Sequence, residues 1–169
     1  MNKILTLLIF FAGTGIGCSS LSAQENNESD LRINYKHGLG VAAGATTGYG
    51  LSYRYCPSRF SVQTTFAPYK SEYSSSLSLG VAFLYNLVET NRTSFFLYEG
   101  NHYLYNHQEY DPYYPYPDNN DSQWNIGVGI GIEFIFYKRV SFSIMAGYAS
   151  YDSFREINVT GETGLFYKF

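Results

Sequence analysis

From Leu31 to the C-terminus, apolar and polar positions alternate with a period of two. That period marks strands whose two faces meet different surroundings. The clearest stretch is 124–136. Trp124, Ile126, Val128, Ile130, Ile132, Phe134 and Phe136 share one face, against Asn125, Gly127, Gly129, Gly131 and Glu133 on the other. In 140–149, Val140, Phe142, Ile144 and Tyr148 oppose Ser141, Ser143, Met145 and Gly147. In 157–169, Val159, Leu165, Tyr167 and Phe169 oppose Thr160, Glu162, Gly164 and Phe166. The stretches 31–44, 49–55, 60–66 and 77–85 follow the same rule, with Arg54 on the polar face of the second. The stretch 95–106 starts apolar on both faces. Assigning Phe96, Tyr98, His102 and Leu104 to its apolar face sends Glu99 to the polar one. The pattern predicts an all-β chain of eight strands.

The polar face is built of small residues, Gly, Ser, Ala and Thr, and the apolar face of large ones. An eight-stranded barrel has an interior just wide enough for side chains to fill. It cannot take a full row of large residues from every strand, but it can take Gly and Ser with a few charges. The large face therefore points outward into lipid, the reverse of a soluble ligand-carrying barrel. Closure also satisfies every backbone group within a bilayer. The expected fold is an antiparallel up-and-down transmembrane β-barrel over 31–169.

Connection lengths fit this. With both termini on the periplasmic side, the even connections fall at 56–59, 89–92 and 138–139; the first and last are short and the middle one is modest. The long connection, 106–123, falls on the outer side. The other outer connections, 46–47, 69–75 and 152–155, are small.

Before the strands comes an export signal. Met1-Asn2-Lys3 is followed by an apolar core at Ile4–Ala12, and Leu21-Ser22-Ala23 forms a cleavage site before Gln24. This predicts a cleaved signal peptide over 1–23 and a polar segment over 24–30. Gly17-Cys18-Ser19-Ser20 offers a second reading, lipidation of Cys18. With cleavage after Ala23, the mature chain keeps only Cys56 and forms no internal disulfide. Aromatic residues make up 19% of the chain and charged residues 15%, the opposite of a disordered composition. The net charge of −3, without a basic cluster, argues against a nucleic-acid partner.

The chain ends Leu165-Phe166-Tyr167-Lys168-Phe169. A terminal Phe, with Tyr at the third position from the end and Leu at the fifth, resembles the C-terminal signature of outer-membrane barrels. With the signal peptide and eight strands, the chain is similar to the small OmpA-type and OmpX-type barrels of Gram-negative bacteria. The resemblance implies that Leu165, Tyr167 and Phe169 are read by the barrel assembly machinery, and that outer-membrane lipid and lipopolysaccharide surround the barrel.

Candidate chemistry is sparse. Arg54, Glu99, Glu133 and Glu162 fall on the lumen face, with Arg32 and Lys36 nearer the periplasmic mouth. Buried charges must pair, so these predict a salt-bridged plug; an ion path is the alternative. The long loop carries Tyr110, Tyr113, Tyr114 and Tyr116 among three prolines and four acids, without Lys or Arg. Rigid aromatic area of this kind suits an extracellular protein or glycan partner. Asp118–Asp121 lacks the Gly and closing Glu of a calcium loop, so neither metal nor cofactor is expected. His102 and His107 raise a rim-histidine, lipid A-modifying enzyme. The His-x-Ser-Asn motif of the deacylase type is absent, and no catalytic residue is assigned. The expected role is structural or surface-interacting, with enzyme and narrow pore as alternatives.

Overall fold

The computed structural model describes residues 35–71, 74–108 and 119–169. The predicted signal peptide and polar segment, Arg32, and the loop tyrosines Tyr110, Tyr113, Tyr114 and Tyr116 lie outside the described residues. Eight strands run in sequence: β1 (His37–Ala43), β2 (Gly50–Tyr55), β3 (Phe60–Lys70), β4 (Ser74–Glu89), β5 (Thr93–Gln108), β6 (Asn119–Phe136), β7 (Val140–Tyr151) and β8 (Glu156–Lys168). Each pairs antiparallel with the next, and β8 closes on β1 through Gly38↔Lys168 to Ala43↔Thr163. One rim carries Phe169 and the β2–β3, β4–β5 and β6–β7 turns; call it the near rim. The other is the far rim.

The alternation sets the two surfaces. Leu51, Val128, Ile130 and Val159 are more than half-exposed or at half, while Ser52, Gln63, Ser143 and Thr160 are buried. Inside, Ala82, Leu84, Phe96, Tyr98 and Met145 form the apolar part of the fill.

Strand β5 lies the other way round from the sequence expectation. Phe96, Tyr98 and His102 point inward and are buried, whereas Phe95 and Leu97 are exposed on the outside. The cause is the neighbouring strand. Gly129 and Gly131 leave room that large rings fill: a Cβ at Gly131 would meet Phe96 Cζ at 2.4 Å, and one at Gly129 would meet Tyr98 Cε1 at 2.7 Å. Interior space thus outweighs the preference for placing a carboxylate inside. Glu99 goes to the outer face, where Asn101 Nδ2 donates to its Oε1 at 2.6 Å. It is not part of the lumen network.

The second departure is length. The stretch read as one long loop is partly strand, with Asn106↔Asp121, His107↔Asn120 and Gln108↔Asn119 paired. Strands β3–β6 therefore rise well beyond β1 and β2. Past the level of Gly80↔His102, β4 and β5 remain paired to Ser74↔Gln108, roughly 20 Å of strand at about 3.3 Å per residue.

Candidate functional site

Two clusters fill the lumen. The near one joins wall to wall. Arg54 on β2 donates from Nη1 to Glu133 Oε1 on β6 at 2.9 Å, and Lys168 on β8 donates to Glu133 Oε2 at 2.7 Å. Arg54 also donates to Gln63 Oε1 from Nε (3.1 Å) and Nη2 (2.7 Å), and its guanidinium lies 4.1 Å from the Phe166 ring centroid. The Arg54 side chain is 4% exposed and that of Glu133 8%. One buried carboxylate thus holds two cations. Lys168 continues the inward parity of Thr160, Glu162, Gly164 and Phe166; that parity was the signal that could have found it.

The far cluster holds a loop. The β1–β2 connection, Gly44–Tyr49, folds into the barrel, leaving Thr46 and Thr47 fully buried. Glycines on three strands form its seat. A Cβ at Gly80 would lie 2.0 Å from Thr47 O, one at Gly100 2.8 Å from Thr46 O, and one at Gly127 2.7 Å from Thr46 Cγ2. Only residues without a side chain allow this approach.

Glu162 is the latch. Its Oε2 accepts the Thr47 backbone N–H at 3.0 Å, and its Oε1 accepts the Thr46 and Thr160 hydroxyls (3.3 Å for Thr160) and the Tyr98 hydroxyl at 3.5 Å. Among the described residues no cation comes within salt-bridge reach of it. Glu162 therefore stands apart from Arg54 and Glu133, with which the sequence grouped it. The Ala45 carbonyl accepts from His102 Nδ1 (2.9 Å) and Asn125 Nδ2 (3.1 Å). Because a carbonyl only accepts, Nδ1 carries the proton, and Nε2 accepts the Ser78 hydroxyl at 2.8 Å.

That Ser–His–carbonyl arrangement resembles an activated nucleophile in connectivity. The sequence singles out His102 but not its partner, because Ser78 reaches it diagonally across the β4–β5 pair (Gly80↔His102). Ser78 is fully buried and His102 only 2% exposed, and Tyr49 N–H also donates to Ser78 Oγ at 3.4 Å. The hydroxyl is sealed beneath the loop.

The remaining assigned residues lie at the rims. Leu165, Tyr167 and Phe169 face outward. Phe169 stacks on His37 with centroids 5.8 Å apart, and their backbones exchange two hydrogen bonds. Lys36 is exposed at the near rim. His107 Nδ1 contacts Asn120 Oδ1 above the barrel.

Among solved structures, the chain is similar to the N-terminal β-barrel domain of Pseudomonas aeruginosa OprF, at 11% identity and a TM-score of 0.55, covering 79% of this chain and 96% of that one. Neisserial surface protein A matches at 14% identity and a TM-score of 0.47, over 79% of this chain and 94% of its own. Ail, the attachment invasion locus protein of Yersinia pestis, matches at 18% and 0.36, over 79% and 96%. No family model matches the chain, and no curated protein does. An outward belt of large apolar side chains around a polar, filled interior is what a lipid-embedded barrel requires. By fold and by surface, this chain is a closed eight-stranded antiparallel β-barrel, similar in fold to the OprF barrel domain and built with the outward apolar belt that a lipid-embedded barrel requires.

Proposed function

We propose that the chain is a closed surface-interaction barrel whose wall is the scaffold and whose protruding β3–β6 sheet is the contact element. The observation that carries this is the difference between the two edges of that sheet. Among the described residues, β3 has no partner on its β2 side beyond Leu51↔Phe66, and that stretch, Ala67–Lys70, contains Pro68 and Lys70. Pro and Lys are residues that blunt an edge. Among the described residues, strand β6 has no partner on its β7 side before Ile126↔Ser150 apart from turn contacts, and its stretch Asn119–Gln123 contains neither. Trp124 O accepts from Ser153 N–H on the β7 side at 3.0 Å. By alternation, Ser122 and Asn120 turn their backbone groups to the same open side.

Such an edge suits strand addition by an extended peptide. Asp121, with Glu109, Asp111 and Asp118 of the adjoining loop, favours a basic one. The tyrosines of that loop would add contact area.

The alternatives are less well supported. A pore would need a path past the seated loop, and a lipid-modifying enzyme would need its substrate to reach Ser78. The test is adhesion of cells displaying the barrel to immobilised extracellular proteins. Ser122→Pro removes an edge donor without touching the β5 ladder and should abolish adhesion at unchanged surface level. Unchanged adhesion would refute the edge. A lipid A mass shift dependent on Ser78 would favour the enzyme instead.

A further inference from the structure

The residue before each strand that runs up from the near rim is basic: Lys36 before β1, Arg59 before β3, Arg92 before β5 and Arg139 before β7. The backbone makes these stations equivalent. Lys36 O accepts from Cys56 N–H (2.7 Å), Arg59 O from Asn86 N–H (2.8 Å), Arg92 O from Ile135 N–H (2.8 Å) and Arg139 O from Lys168 N–H (2.7 Å). In each case the basic residue's carbonyl receives a rim hydrogen bond from the neighbouring strand. All four side chains are exposed, and none forms an ion pair with a carboxylate among the described residues. Strands lie about 4.8 Å apart, so cations on every second strand stand roughly 10 Å from one another around the rim.

The charge is one-sided. Lys138 adds to the ring, and Glu89 is the acid at this rim among the described residues. At the far rim Asp121, Asp152 and Glu156 face Lys70 and Arg155, and Arg155 is paired with Asp152 at 2.8 Å.

Arg139 shows how such a cation is held. It donates from Nε to Tyr35 OH (3.1 Å) and from Nη1 to Tyr167 OH (2.8 Å), with its Cζ 5.4 and 5.9 Å from the two ring centroids. Tyr167 belongs to the outward row, and rings at this level mark the boundary between hydrocarbon and headgroups. The guanidinium is therefore kept at the headgroup plane rather than over the lumen.

We propose that Lys36, Arg59, Arg92 and Arg139 form a ring of sites for the phosphates of anionic phospholipids in the periplasmic leaflet. The ring would fix the depth of the barrel and gather a shell of anionic lipid around its near rim. Arginine suits this through its forked, charge-assisted bonds to phosphate.

The test uses the refolded barrel in bilayers of phosphatidylcholine with a minority of spin-labelled phosphatidylglycerol, measuring enrichment of the labelled lipid at the protein. The ring predicts enrichment that falls with salt, and a loss of roughly fivefold in relative affinity per cation neutralised. The triple variant Lys36→Gln, Arg59→Gln, Arg92→Gln leaves Arg139 and its tyrosine contacts intact, and should lose most of the enrichment. Lys70→Gln at the far rim should lose none. The proposal is overturned if the triple variant enriches phosphatidylglycerol like the wild type, or if Lys70→Gln loses as much. It is also overturned if millimolar inorganic phosphate displaces the lipid at constant ionic strength, because the ring would then read a free anion.

Discussion

The two lumen clusters each centre on one glutamate, yet they do different work. Glu133 neutralises two cations drawn from different strands, so the near cluster ties β2, β6 and β8 together. Glu162 accepts bonds from hydroxyls and one backbone N–H, and two of its donors belong to a loop rather than to the wall. The first is a strut and the second a latch. Breaking the strut should therefore lower barrel stability. Breaking the latch should free the loop while the wall stays closed.

The largest effect is expected from Glu133→Gln. It leaves Arg54 and Lys168 facing each other without a counter-charge, and breaking a buried pair typically costs about 3–5 kcal/mol. Arg54→Met should cost less, because Lys168 still neutralises Glu133. The double variant Arg54→Met/Glu133→Gln should be more stable than Glu133→Gln alone. Urea unfolding midpoints in detergent micelles give this order, and equal midpoints for the three variants would remove the strut.

Next in size is a change of the wall itself. Ile130→Arg puts a cation on the outer face near mid-membrane and should cost about 2–4 kcal/mol in lipid vesicles. Its neighbour Gly129 points inward but is not a tolerant site. A Cβ there would lie 2.3 Å from Ala146 O, so even Gly129→Ser should cost about 1–3 kcal/mol through overpacking. Gly161→Ala meets nothing within 4 Å and should be neutral in the same assay. A stable Gly129→Ser would contradict the packing around Tyr98.

Smaller again is the latch. Glu162→Gln swaps one acceptor oxygen for a donor against the Thr46, Thr47 and Thr160 donors, which should cost about 1–3 kcal/mol. The cost should fall on the loop: protease access or hydrogen exchange should rise at residues 44–49 while strand amides stay protected. Uniform loss of protection around the barrel would make Glu162 a second strut.

The same contrast shows what was readable from sequence. Period-two alternation was enough for the wall, because lipid and lumen demand opposite side chains at every step. It also placed Arg54, Glu133 and Glu162 inside. It failed on β5, where both faces carry aromatics and the deciding fact, the glycine void on β6, belongs to another strand. It failed on Ser78 and His102, whose contact exists only through inter-strand register. The loop in the lumen was hidden for a similar reason: Gly80, Gly100 and Gly127 read as small residues, but what occupies the space above them depends on closure. The paired segments above the barrel, Asn106–Gln108 with Asn119–Asp121, were read as loop because they are polar on both faces.

The filled lumen is the point on which the closed-barrel account stands or falls, and single-channel conductance in planar bilayers tests it directly. The wild type should show no steady conducting state. Gly80→Val, whose side chain occupies the space of Thr47 O, displaces the loop but leaves the Arg54–Glu133 pair and the Phe96, Tyr98 and Met145 fill across the lumen, so it should show none either. A steady conducting state in the wild type would contradict the closed lumen and restore the pore.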